Sequence, residues 1–104
     1  MSEKNLQIHI GAENKRQANA ILSALLKKKL VAGGSILLAP SSFWWKGKIV
    51  SVNHYIILAY TIAKHKKSII LEVERVSVED VPGIIFATID GNKKFADWIS
   101  TSLK

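Results

Sequence analysis

The chain has 104 residues, 48% of them hydrophobic, and no cysteine. That length fits one domain, residues 1–104, and the lack of thiols excludes disulfides, thiolate metal ligands and cysteine nucleophiles together. Fifteen Lys and Arg against eight Asp and Glu give a formal charge of +7, which suits an anionic partner but serves solubility equally well.

Leu6-Gln7-Ile8-His9-Ile10 alternates apolar and polar residues and reads as a strand that Gly11 ends. Asn14 is placed to cap a helix whose apolar face is Ala18, Ile21, Leu22, Leu25 and Leu26. Lys27, Lys28 and Lys29 close that helix, where cations complement its dipole. Leu30-Val31-Ala32 leads past Gly33-Gly34 into a second strand, Ser35 to Leu38, which Pro40-Ser41-Ser42 is expected to break. Gly33-Gly34-Ser35 lacks phosphate-loop or dinucleotide spacing and reads as a close backbone contact or bulge.

Phe43-Trp44-Trp45-Lys46-Gly47-Lys48 then reads as an aromatic bend. Each tryptophan carries roughly 150–250 Å² of surface that water disfavours, so an exposed pair implies a surface that meets another subunit. The following strand, Ile49 to Ala63, is apolar on both faces, as expected of a strand with helices on one side and a partner on the other. Phe43, Trp44, Trp45, Tyr55 and Ile57 are the expected interface residues.

Lys64-His65-Lys66-Lys67 opens a second helix with stripe Ile69, Ile70, Val73 and Val76. Cations at a helix N-terminus oppose the macrodipole. Either an anion relieves the conflict, making these four residues a ligand site, or Glu72, Glu74 and Glu79 do. Val81-Pro82 introduces a strand, Ile84 to Ile89. Asp90-Gly91-Asn92 turns into a last helix with Phe95, Trp98, Ile99 and Leu103 toward the core. The order β-α-β-β-α-β-α is an α/β (α+β) pattern, the ferredoxin-like split βαβ sandwich with an extra C-terminal helix.

For metal, the candidates are His9 and His54, both on strands, with acids at 72, 74, 79, 80, 90 and 97; none has ligand spacing. No nucleophile sits in a catalytic context, so no enzyme activity is expected. Nucleic acid is not favoured: the lysines are scattered apart from two clusters, Arg16 and Arg75 are the only arginines, and an aromatic RNA-binding motif is missing. A polar N-terminus and the shortness of the apolar runs lead us to expect no signal peptide, no membrane span and a cytoplasmic location.

Four stretches resemble the CutA divalent-cation-tolerance family in order along the chain: Ala18 to Ala32, Phe43 to Lys48, Val81-Pro82-Gly83-Ile84-Ile85, and Gly91-Asn92 through Phe95 to Trp98-Ile99. The resemblance implies a non-enzymatic homotrimer of ferredoxin-like fold. It also implies a part in tolerance or binding of copper, Cu2+, or another divalent cation. The chain departs from the family pattern at the positions that matter for metal. Ile10 stands where the family has a cysteine, Ser77-Val78-Glu79 where it has a His-Pro-Tyr-type motif, and Val50, Val52 and His54 near its acidic residues. Divalent metal binding is therefore expected to be weak. The fold is similar to that of PII signal proteins, trimers with ligand clefts between subunits, which implies an alternative: a sensor of a small anionic ligand in such a cleft, lined by His54, Tyr60, and Trp44 or Trp45, with Lys64 and Lys66 supplying charge.

Overall fold

The computed structural model describes residues 4–103. Its elements are β1 (Asn5–Ala12), α1 (Lys15–Lys27), β2 (Gly33–Trp45), β3 (Lys48–Ile62), α2 (Lys66–Val76), β4 (Ile84–Thr88) and α3 (Lys93–Ser102); one 3₁₀ turn, Ala63–His65, joins β3 to α2. The strands form one antiparallel sheet in the order β2-β3-β1-β4. With its crossovers this is the expected ferredoxin-like fold with an added C-terminal helix.

Period-two alternation builds the core. Leu6, Ile8, Ile10 and Ala12 are buried, and so are Ile57 and Ala59, their neighbours on β3. Ala18, Ile21 and Leu25 of α1 and Ile69 and Val73 of α2 cover that face. Truncating one of these, Leu25→Ala for instance, is expected to cost about 2–5 kcal/mol. On the opposite face α3 covers one end of the sheet. Ile62, Ile99 and Leu103 form a second, smaller cluster there, and Tyr60 meets the edge of Phe95 at 5.1 Å. Trp98 and Phe95 are not fully enclosed as expected: they remain 44% and 37% exposed.

Asn14 caps α1 as expected, its Oδ1 accepting from the Gln17 N–H at 2.8 Å. The helix ends in a Schellman motif: Leu30 N–H bonds to Leu25 O at 2.9 Å and Lys29 N–H to Leu26 O at 3.0 Å. Lys29 takes the left-handed position there, with φ 54°. Beyond it, the buried Thr61 hydroxyl donates to Leu30 O at 2.6 Å and fastens the helix exit to the end of β3.

The second strand departs most from expectation. β2 runs from Gly33 to Trp45, and Pro40-Ser41-Ser42 pairs straight through with Asn53, Val52 and Ser51. β2 is an edge strand, which is where a sheet tolerates a proline that lacks an N–H donor. The aromatic residues are therefore strand residues near the tip of a long hairpin. Trp44 pairs with Ile49 and Trp45 with Lys48. The turn is the two residues Lys46-Gly47, with φ 50° and 79°, the double left-handed loop that matches strand twist. Gly34 proves to be a close-contact glycine, since a Cβ there would lie 2.8 Å from Leu58 O. β1 also continues past Gly11 to Ala12, and the Gly11 N–H bonds to Gly83 O at 3.0 Å.

Candidate functional site

His54 lies on β3 one step beyond the last β1 pair, Ala12 with Tyr55, where the sheet narrows into the hairpin. The loop between α2 and β4 passes this point and is held by backbone bonds. Val78 N–H bonds to Gln17 Oε1 of α1 at 3.0 Å, and Glu79 N–H to Ser77 Oγ at 3.1 Å. That framework brings Glu79 Oε1 to 3.1 Å from His54 Nε2, with the two side chains 18% and 22% exposed. The Phe43 ring stacks on the imidazole, centroids 5.5 Å apart and planes 14° apart, and fixes its orientation. The result is a partly desolvated histidine–carboxylate pair on a rigid frame.

His9, the other expected metal residue, does not join it. His9 pairs with Leu58, four residues along β3 from His54, or roughly 13 Å at about 3.3 Å per residue. The two histidines share a sheet face but are too far apart to share an ion. Among the described residues no group of three or more His, Asp or Glu comes together to hold a metal.

Lys64, His65, Lys66 and Lys67 do gather at the start of α2, which has no side-chain cap. Lys66 Nζ lies 5.5 Å from the centre of the Phe86 ring, and His65 Nε2 is buried without a hydrogen-bond partner. Two of the three acids expected to offset the cluster, Glu72 and Glu79, are engaged elsewhere. Glu72 is held between Arg75, at 2.7 Å, and Lys28, at 2.8 Å. The Arg75 hydrogen bonds, then that of Lys28, pull its carboxyl down to about 2. Glu79 faces His54.

Two further expectations need correction. Ile57 is wholly buried in the chain's own core, so it belongs to no subunit interface, and Tyr55 packs partly against that core. Phe43 is half-buried on His54, which leaves Trp44, 72% exposed, and Trp45, 39% exposed, as the free aromatic surface of the hairpin. Within one chain, Tyr60 and Trp44 do not line a common cleft. They stand at opposite ends of β3, whose partners there are Gly33 and Trp44 itself, roughly 35 Å apart. Glu79 is the residue that sequence reasoning left among general acids; its place opposite His54 depends on how the loop folds back.

The model of the CutA1 divalent ion tolerance protein family matches residues 6–102 of this chain. A divalent-cation tolerance protein CutA of Archaeoglobus fulgidus is 32% identical over 98 residues, covering 93% of this chain and 96% of its own. Its solved structure, described as periplasmic, superposes with a TM-score of 0.92 at 31% identity, over 96% and 99% of the two chains. CutA1 of Oryza sativa, at 22% identity, shares the fold with a TM-score of 0.93 over 99% and 96%.

Proposed function

The chain belongs to the CutA1 divalent ion tolerance family, and from that membership we propose a non-enzymatic homotrimer that takes up a divalent cation weakly at His54 and Glu79. The observation that carries the cation reading is the 3.1 Å separation of His54 Nε2 and Glu79 Oε1. Two ligands each about 2.1 Å from one ion, at angles between square and tetrahedral, lie roughly 3.0–3.4 Å apart. The pair is thus spaced to chelate with little movement. Imidazole with carboxylate suits copper(II) best among the common divalent ions, with zinc next. Two protein ligands leave the remaining positions to water, which keeps the affinity modest. Binding displaces any proton shared by the pair, so it strengthens as pH rises.

The trimer reading rests on the hairpin. Leu37, Trp44, Trp45, Ile49 and Val52 are exposed along β2 and β3, and β2 is an open sheet edge. An apolar edge of this length on a lone chain invites pairing with another copy.

Calorimetric titration with copper(II) tests the cation site. One weak event per chain is expected, micromolar or weaker, lost in His54→Ala and retained in His9→Ala. A sub-micromolar stoichiometric site, or binding untouched by His54→Ala, would refute the assignment.

A further inference from the structure

β4 ends at Thr88 and α3 begins at Lys93, so the chain passes from strand to helix through residues 89–92. Both ends of that connection are tied down. The Ile89 N–H bonds to Asn5 O at 3.2 Å, and Asn92 O accepts from the Ala96 N–H at 3.1 Å. The Asn5 side chain holds the helix as well, donating from Nδ2 to Ala96 O at 3.2 Å and accepting at Oδ1 from Ser100 Oγ at 3.3 Å. Asp90 and Gly91 lie between these ties, exposed and outside any helix or strand. Among the described residues no backbone carbonyl accepts from the Gly91 N–H. A Cβ placed on Gly91 would meet no atom within 4 Å, so the space beside this amide is open.

Asp90-Gly91 is the only Asp-Gly or Asn-Gly pair in the sequence. An aspartyl γ-carbon stands one five-membered ring away from the next amide nitrogen. A following residue other than glycine carries a Cβ that crowds this approach and narrows the backbone angles it needs. The other aspartates lack the combination. Asp80 precedes the β-branched Val81, and Asp97 precedes Trp98 inside α3, where the helical ladder fixes the backbone.

We infer that Asp90 is a site of spontaneous isoaspartate formation, with water as the only reagent. The Gly91 amide nitrogen loses its proton and attacks Asp90 Cγ; an N–Cγ bond forms and the carboxyl oxygen leaves as water. A second water then opens the cyclic imide. Cleavage between the nitrogen and the Asp90 backbone carbonyl carbon gives the isoaspartyl linkage, and cleavage of the new bond restores aspartate. One water is lost and one regained, with no oxidation or reduction. The product adds a methylene to the main chain at the junction that seats α3, whose Ile99 and Leu103 pack with Ile62. The inference is independent of the cation site, since neither Asp90 nor Gly91 belongs to it.

Ageing the intact chain at neutral pH and body temperature tests it. Isoaspartate is counted by enzymatic carboxyl methylation and located by electron-transfer fragmentation of the tryptic segment 76–93, which holds Asp80 as an internal control. It should accumulate at position 90 and not at 80. It should be lost in Asp90→Glu, which would need a six-membered ring, and should slow in Gly91→Ala, whose Cβ fits the fold but crowds the amide. The folded chain should react within about tenfold of the rate of the free 76–93 peptide, because the connection reaches the ring geometry without wider unfolding. Any one of four results would overturn the inference: no isoaspartate at 90, as much at 80 as at 90, an undiminished rate in Gly91→Ala, or a folded chain slower than the peptide by more than that factor.

Discussion

Glu72 shows how one residue ties the helical layer together. Its carboxylate, buried between α1 and α2, accepts from Lys28 of one and Arg75 of the other. Its pKa falls from 4.5 to about 2, so the stability it contributes is complete above about pH 4.5 and is lost as pH drops toward 2. Glu72→Gln should lower the melting temperature at pH 7 and narrow the gap between melting temperatures at pH 7 and pH 3. An unchanged gap would show that the triad contributes nothing to the acid limb. The sequence allowed Glu72 to be seen only as one acid among several near a lysine cluster. Which cation it meets depends on two helices packing side by side, and no local pattern encodes that. His54 is similar: its strand position was legible, while its partner Glu79 arrives on a loop whose path is set by Gln17 and Gly83. Phe43→Ala should free the imidazole and weaken copper uptake without abolishing it, as read by the same titration.

Helices and strands were legible wherever one period dominates. The 3.6-residue spacing of Ala18, Ile21 and Leu25 and the alternation from Leu6 to Ile10 each report one buried face, and both elements formed there. Pro40-Ser41-Ser42 misled because a proline's effect depends on whether its strand is central or at the edge, and edge position is a property of the whole sheet. The Schellman end of α1 carries another local cost. Lys29 holds a left-handed conformation that disfavours side chains by roughly 1–2 kcal/mol, and glycine is its usual occupant. Lys29→Gly should therefore raise stability, by about 1 kcal/mol in urea titrations once glycine's greater unfolded freedom is counted. A destabilised variant would mean that the lysine side chain stabilises the helix end by more than its backbone costs.

At the scale of the molecule, a cluster of lysines and the long hairpin occupy opposite ends of β3. The basic end lies where α1 finishes and α2 begins, and Trp44 and Trp45 lie at the hairpin tip. Net charge was readable from composition, but its concentration at one end follows from the antiparallel β1–β3 pairing and the crossover helices. The hairpin carries apolar surface that a single chain leaves exposed. Lys46 Nζ covers part of Trp45 at 5.8 Å, yet Trp44 and Ile49 stand 72% and 64% exposed. Trp45→Ala removes an aromatic anchor of the kind that commonly contributes about 2 kcal/mol or more to an interface, and it should shift the assembly toward smaller species at low micromolar concentration. Light scattering of the wild-type protein at that concentration tests the assembly most directly. A mass three times the 11.5 kDa of the chain is expected, and a mass of 11.5 kDa would contradict a trimer held by the hairpin.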